Sequence, residues 1–511
     1  MRLDQIALQP AVLADSLAKP EFDLSAVQAD SRRVDSATAF FALKGASHDG
    51  HRFAEGAVAA GTPALFLSER AAYDRWAGLP AGGPHGVFLV REGRQALAQL
   101  AAEIYGHPSR HLTLLGATGT NGKTTVTHLA AQLLEAIGGR CAIIGSLGMK
   151  PGEPHRDGDL TTPEAPETQA FLRACLRGGW DTVAMEASSI GLAVGRTHGL
   201  AYRAAAFTNL TPEHLDFHGD MTSYGEAKNR LFLEHAIGRA VINLDDPAGR
   251  RLVERLTMAD PKGLPPLTYT LDPAAYPQAT LALEGITVGT EGMGGTMRVR
   301  EQGQGDRQHP IRIPLLGRYN LSNLLAAIGL LTAAGHPPEA LARAASHCRG
   351  APGRFERVAL PHPFTVIVDY AHTPDALENL LGAARELVGR RRVLLLFGCG
   401  GERDTAKRPL MGMIAQRRAD RVVITSDNPR GEPPGTILDE IEKGIDDGND
   451  VTRIESRTQA IAAILDQARA GDIVLIAGKG HEQFPDIGGR RFPFDDRREV
   501  LKWAGISGGA H

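Results

Sequence analysis

The chain has 511 residues, 42% hydrophobic and 23% charged, ordinary proportions for a globular protein with several sizeable cores. Lys and Arg number 56 against 59 Asp and Glu, a formal net charge of −3, which excludes a whole-protein basic footprint for nucleic acid or an anionic membrane. At roughly 150 residues per domain, the length points to about three domains.

The N-terminal stretch MRLDQIALQPAVLADSLAKP is broken by charge and proline, unlike the apolar core of a secretory signal. No run approaches the roughly 18 apolar residues of a membrane span. Cys141, Cys175, Cys348 and Cys399 fit no C-x-x-C spacing and read as intracellular thiols. A cytoplasmic protein without membrane insertion is expected. The first hundred residues, rich in Ala and Gly, carry no motif that physics alone assigns.

From about residue 111 short apolar runs alternate with helical patterns, which predicts parallel α/β units. Leu112–Gly116 reads as a buried strand and Ala117–Gly122 as a glycine-rich turn. A helix follows, with Val126, Leu129, Ala130, Leu133, Leu134 and Ile137 on one face and Gly138-Gly139 as its stop. Further strands are predicted at Cys141–Ser146, Thr182–Glu186, Ala204–Phe207 and Ala240–Asn243. Residues 278–314 alternate between glycines and predict an antiparallel excursion, closed by a helix from Asn320 to about Ala334. After the Gly350-Ala-Pro-Gly353 turn a second α/β series is expected, with strands at Thr365–Asp369, Val393–Phe397, Val422–Thr425 and Ile473–Ala477. The periodicity thus shows two α/β sheets.

The segment Gly119-Thr120-Asn121-Gly122-Lys123-Thr124-Thr125 follows a strand and opens a helix, the context of a phosphate loop that binds ATP. Lys123 would reach the β- and γ-phosphates, and the Thr124 hydroxyl would face Mg²⁺. Ala117 stands where the usual pattern has its first glycine. Glu186 ends a predicted strand at the edge where α/β sheets place ligands. His214, Asp216 and His218 share a loop that is as readily a polar turn as a metal site, and Lys228 reads as a solvated surface lysine.

GTNGKTT (119–125), HLDFHGD (214–220), LGRYNLSNLLAA (316–327), PGRFE (352–356) and DYAHTPDA (369–376) together resemble the Mur ligases of peptidoglycan synthesis, in order and spacing from about residue 30 to 485. Asp30-Ser-Arg32 and Asp427-Asn-Pro-Arg430 resemble those members that add 2,6-diaminopimelate. The resemblance implies three α/β domains: residues 1–109 binding a UDP-sugar, 110–350 a central parallel-sheet phosphate-loop domain, and 351–511 a Rossmann-like domain binding the amino acid. It implies a monomer that joins meso-diaminopimelate to UDP-N-acetylmuramoyl-L-alanyl-D-glutamate with ATP and Mg²⁺, in a pathway tied to cell shape and division.

By the same resemblance Lys123, Glu186, His214 and Lys228 are catalytic, and Thr124, Glu186, His214 and Lys228 (as a carbamate) hold metal. Asn323 would contact adenine, Arg354 the phosphates, and His372 and Asp375 would close over the nucleotide. From sequence alone, Asn323 and Asp375 read rather as helix caps and Arg354 as a surface charge. Ala29, Ser31, Ala46, Ser47 and His48 align with uridine-nucleotide contacts. Thr161, Thr162, Ser188, Val194 and Arg196 align with contacts to the muramoyl dipeptide, although Ile190 and Val194 depart from the His and Gln common there.

Arg403, Asp427, Asn428, Pro429, Arg430, Gly478 and Glu482 would hold diaminopimelate. A guanidinium at Arg430 can take its extra carboxylate bidentately, which lysine lacks. Asp427-Asn-Pro-Arg430 also suits a turn, and Glu482 a helix start. The rivals are a lysine-adding ligase, a folylpolyglutamate-type ligase and a non-ligating ATP sensor. Two α/β domains joined at Gly350-Ala-Pro-Gly353 also predict hinge closure on ATP.

Overall fold

The computed structural model describes residues 13–18, 23–45, 49–77, 84–91, 93–151, 160–261, 263–289, 291–300, 305–402, 404–446, 451–482, 486–487 and 490–506. They form three main sheets in chain order. The periodicity showed only the last two. The N-terminal strands Thr38–Phe41, Ala64–Leu67 and Gly86–Val90 are short apolar runs, and the helices Ala54–Ala59 and Arg70–Ala77 between them are short as well, so no regular alternation of strand and helix patterns stands out in the sequence.

The first sheet has five strands, in the order Leu13–Ala18, Gly86–Val90, Ala64–Leu67, Thr38–Phe41 and Ala26–Gln28. All pair in parallel except the first, which runs antiparallel to its neighbour. One face stacks Phe41, Phe66 and Phe88, with ring centroids 5.3 and 4.5 Å apart, under Leu97 and Leu100 of the helix Gly93–Tyr105. That helix packs on Ala165–Arg177 of the next domain. Arg33 reaches Glu167 and Arg94 reaches Glu164 across the junction, each at 2.6 Å.

The central sheet has ten strands. Its parallel part runs in the order Leu267–Thr270, Ala236–Asn243, Ala201–Phe207, Thr113–Thr118, Thr182–Glu186 and Cys141–Gly145. The antiparallel excursion is present as Leu281–Gly289, Gly292–Val299 and Arg307–Ile313, which extend this same sheet. The helices Lys123–Ala136 and Arg318–Ala333 cover one face, burying Leu129, Leu133, Leu324 and Leu331 among others.

The strand before the phosphate loop runs two residues further than its sequence pattern suggested. Ala117 and Thr118 stay in the ladder, paired with Ala206 and Phe207, and their carbonyls accept from Ala187 and Thr208 N–H at 2.9 and 3.0 Å. The turn is therefore only Gly119–Gly122, and Ala117 is a fully buried strand residue that needs none of glycine's freedom.

The third sheet has six strands, in the order Glu356–Val358, Thr365–Asp369, Ile473–Ala477, Val393–Phe397, Arg421–Ile424 and Val451–Arg453. All but the first are parallel, with apolar clusters on both faces. The chain enters this domain through Gly350-Ala-Pro-Gly353. The Gln132 side chain, on the helix that begins at Lys123, accepts from Arg349 N–H at 2.7 Å and donates to Gly350 C=O at 2.8 Å.

Candidate active site

A cavity of about 920 Å³ opens where the carboxyl ends of the central and C-terminal sheets face each other. It is lined by Thr120–Thr125, Thr161, Glu186, Ser188, His214, Lys228, Asn323, Arg354, His372, Asp375, Asp427, Asn428, Arg430, Gly478 and Glu482. Residues from most of the predicted set, far apart in sequence, are thus brought to one place.

The phosphate loop is sterically committed. Gly119 and Gly122 have φ of +148° and +91°, and a Cβ on Gly122 would sit 2.4 Å from Asn323 Oδ1. Asn323 is therefore packed against the loop itself. Lys123 donates through Nζ to the carbonyls of Gly119 and Thr120, each at 2.8 Å. Lys228, which the pattern left on the surface, is only 1% exposed. Its Nζ donates to the same Gly119 carbonyl at 2.9 Å and lies 4.2 Å over the Tyr224 ring. Burial drives the Lys228 ammonium well below its ordinary range, and Lys123 beside it pushes the same way.

Glu186 ends its strand completely buried. Thr124 Oγ1 donates to its Oε2 at 3.1 Å, and Ser146 donates to both of its oxygens from N–H and Oγ at 2.8 and 3.2 Å. Ser146 Oγ also lies 3.2 Å from Thr161 Oγ1, while Thr162 Oγ1 lies 2.9 Å from Ser188 Oγ. The short helix Ser189–Ala193 starts on that Ser188 hydroxyl. His214 begins the next short helix with φ of +54°, and neither it nor Lys228 reaches Glu186.

Glu213 escaped the sequence reading. Its Oε2 lies 3.8 Å from His214 Nε2 and its Oε1 3.8 Å from His372 Nε2, so one carboxylate faces an imidazole from each of two domains. Burial alone would raise its pKa, but Lys123, His372, His214 and Lys228 outweigh that and hold it below the usual range. An acid next to a histidine in a loop has no spacing signature, and only the fold brings His372 to it. Ser146, just past a strand end, was missed for the same reason.

The C-terminal domain closes the cavity. Asp375 Oδ2 accepts from Asn121 Nδ2 at 2.9 Å and from Thr211 Oγ1 at 3.2 Å. Arg354 lies 4.4 Å over the Tyr370 ring and reaches Thr124 Oγ1 at 3.4 Å, with its buried Nε unpartnered. His372 is held at about 4 by burial, with Lys407 adding to the effect; its Nδ1–H donates to Tyr370 C=O at 2.9 Å.

Asp427, Asn428, Pro429 and Arg430 follow one strand of this domain, and Gly478 and Glu482 follow its neighbour but one. Asn428 Nδ2 donates to Glu482 Oε2 at 2.6 Å. Arg430 holds φ of +51° and donates to Gly401 C=O at 2.6 Å. A non-glycine residue in that region is uncommon and marks a constrained loop.

Not every predicted residue reaches the cavity. Arg196 donates to Glu164 at 3.0 Å and to the Thr162 carbonyl at 3.3 Å, behind the lining, and Val194 caps the helix Ser189–Ala193. Ala29 and Ser31 lie on the N-terminal domain, Ser31 opening the turn Ser31–Arg33 capped by Asp30. Ala46, Ser47, His48 and Arg403 lie outside the described residues.

Fold and cleft together give three α/β domains around a phosphate-loop site. The chain matches the Mur ligase family catalytic domain over residues 23–105, the Mur ligase middle domain over 117–331 and the Mur ligase glutamate ligase domain over 353–480. It is 42% identical to the UDP-N-acetylmuramoyl-L-alanyl-D-glutamate–2,6-diaminopimelate ligase of Solibacter usitatus, over 97% of each chain. It is 41% identical to the enzyme of that name from Pseudomonas aeruginosa, over 93% of this chain and 94% of that one. A solved structure of a ligase with that name is 34% identical, with a TM-score of 0.66 over 95% of each chain. The MurF ligase of Thermotoga maritima in complex with ADP, at 16% identity and a TM-score of 0.63, shares the fold over 94% of this chain and 96% of that one. The chain belongs to the Mur ligase family.

Proposed function

We propose that the protein adds meso-2,6-diaminopimelate to the γ-carboxylate of D-glutamate in UDP-N-acetylmuramoyl-L-alanyl-D-glutamate at the expense of ATP, in peptidoglycan precursor synthesis. The observation that carries this is Arg430, held in a constrained loop at the cavity wall beside Asn428 and Glu482, in a chain about 40% identical to ligases of that name. The distal end of diaminopimelate bears an ammonium and a carboxylate, which complement Glu482 and Arg430 respectively.

A carboxylate has no good leaving group, so ATP first converts it to an acyl phosphate; the amine then attacks, and phosphate leaves. Lys123 and Arg354 approach the phosphate loop from the central and C-terminal domains and neutralise phosphate charge. Asn323 fixes the loop from below, and Asp375 joins it to the C-terminal domain through Asn121. Ala29, Ser31, Ala46, Ser47 and His48 serve the uridine end, and Thr161, Thr162, Ser188 and Arg196 the dipeptide.

Thr124 and Glu186, buried hard oxygens 3.1 Å apart at the phosphate loop, suit Mg²⁺, which takes a few protein oxygens and shares the phosphates. His214 and Lys228, which do not reach Glu186, would offer metal ligands of their own once Lys228 is a carbamate; bound Mg²⁺ would supply charge to stabilise phosphoryl transfer. The carbamate has a physical motive. A charged Lys228 would be repelled by the Lys123 ammonium on the same buried carbonyl, and burial with that repulsion favours the neutral amine that attacks CO₂. The product is an anion and a released proton, so repulsion of Lys123 becomes attraction.

The test is phosphate release with ATP, Mg²⁺ and the UDP-linked dipeptide, comparing meso-diaminopimelate with L-lysine for the wild type and Arg430→Ala. Turnover is expected with diaminopimelate alone. Truncating one partner of a buried charge pair costs roughly 2–5 kcal/mol, or about tens to thousands in kcat/KM. Equal turnover with lysine would overturn the substrate assignment, and phosphate release independent of any amino acid would overturn the ligase reading.

A further inference from the structure

Beneath the loops assigned to diaminopimelate lies a set of charges that do not line the cavity and are almost wholly shielded from solvent. Lys479 is 1% exposed, Arg457 6% and Asp496 not at all. Arg457 opens the helix Arg457–Asp466, and Asp496 opens the helix Asp496–Trp503, beyond the last family match at residue 480. The Arg457 guanidinium is bidentate on Asp496, with Nε and Nη2 at 2.8 and 2.7 Å. Its remaining donors go to main-chain carbonyls: Ala477 at 3.0 Å and, more weakly, Ser426 at 3.5 Å. Those carbonyls belong to the residues immediately before Gly478-Lys479 and Asp427-Asn428. One guanidinium therefore sets the departure point of both loops.

Lys479 does the same one layer up. Its Nζ lies 3.3 Å from Asp427 Oδ1 and donates to Asn428 Oδ1 at 2.8 Å. An ammonium has donors only, so it fixes which way the Asn428 amide faces: oxygen to Lys479, nitrogen to Glu482 at 2.6 Å. The two loops approach each other closely here: a Cβ on Gly478 would lie 2.3 Å from Asp427 Oδ2.

We infer that Lys479, supported by the Arg457–Asp496 pair, is a positioning residue for the amino-acid substrate: it orients the Asn428 amide and through it the Glu482 carboxylate. The inference rests on the proposed function. Its physical content is that a buried ammonium, rather than the substrate, organises the pocket before binding, so binding does not bear the cost of ordering these side chains. Without it the Asn428 amide can turn its oxygen toward Glu482, setting two acceptors face to face on the carboxylate that the substrate ammonium would share with Asn428.

The experiment measures KM separately for diaminopimelate, ATP and the UDP-linked dipeptide, with thermal midpoints, in the wild type, Lys479→Met, Lys479→Gln and Asp496→Asn. Diaminopimelate-dependent turnover by the wild type is the control for the proposed function, and its absence would be a failure of that reading. Given that turnover, Lys479→Met is expected to raise KM for diaminopimelate about tenfold or more while the other two KM values stay within about twofold. Lys479→Gln, which keeps a donor for Asn428, should recover part of the loss. Asp496→Asn should shift the same KM in the same direction. A lower thermal midpoint with all three KM values unchanged, or an equal rise in all three, would overturn the inference and leave Lys479 a purely structural charge. Should Lys479→Met not fold, the same comparison is made on the other two variants.

Discussion

At the scale of single residues, the site is governed by where charge is allowed to sit. Lys123 and Lys228 converge on one carbonyl, and the carbamate proposed at Lys228 would relieve the conflict. Wild-type protein equilibrated with ¹³C-bicarbonate should show a carbamate resonance that Lys228→Ala lacks. Thorough removal of CO₂ should lower kcat, and bicarbonate should restore it; activity indifferent to CO₂ would count against the carbamate. His128, one turn past Thr124, is buried with Nδ1 2.9 Å from the Thr124 carbonyl. Burial lowers it to about 4, against about 6.5 when unfolded. The unfolded chain therefore binds more protons between these values, so the contribution is intact above about pH 6.5 and is lost as pH falls toward 4. Between pH 7 and 5 this amounts to about 2 kcal/mol. Urea unfolding followed at both pH values should show His128→Gln losing less stability than the wild type by about that amount.

At the scale of elements, the sequence was most informative where one strand, one turn and one helix stand side by side. Gly119 to Thr125 is such a unit, and its chemistry follows from local pattern alone. Gly122→Ala should weaken ATP binding by at least about tenfold, because the left-handed φ and the Asn323 amide both exclude a methyl group. Calorimetry with a non-hydrolysable ATP analogue checks it, and unchanged affinity would mean that the loop is more pliable than its packing suggests. What local pattern could not show is pairing between elements. Lys228 lies on an amphipathic helix, Met221–Leu233, and nothing in its spacing says that the helix turns this lysine inward. Glu213, Ser146 and Lys479 are ordinary polar residues next to recognisable ones, and they matter only through partners supplied by other strands. The N-terminal sheet stayed hidden for a different reason: strands such as Thr38–Phe41 and Ala64–Leu67 are only four residues long and the helices between them little longer, too short to set up a rhythm.

At the scale of the whole molecule, the cleft is closed by bonds between domains: Asn121 with Asp375, Arg354 with Thr124, and Glu213 facing His372. Such contacts should be strengthened by phosphate charge lying between Lys123 and Arg354. Small-angle scattering with ATP analogue and UDP-linked dipeptide is expected to show compaction relative to the free protein, reduced in Asp375→Ala; superimposable curves would count against hinge closure. Among the described residues no helix is long and apolar enough to cross a membrane.

The crossing at Gly350, gripped by Gln132, carries a consequence for how such enzymes diversify. Everything assigned to choosing the incoming amino acid lies downstream of it, on loops of one sheet, and the chain passes from one sheet to the next there. On the proposed assignment, selectivity would be a detachable cassette. Grafting the stretch beyond residue 353 from a relative with a different amino acid should change the product while leaving the phosphate chemistry with the host. The graft must keep three docking points, Arg354, His372 and Asp375, and the coupling that Gln132 imposes at the seam.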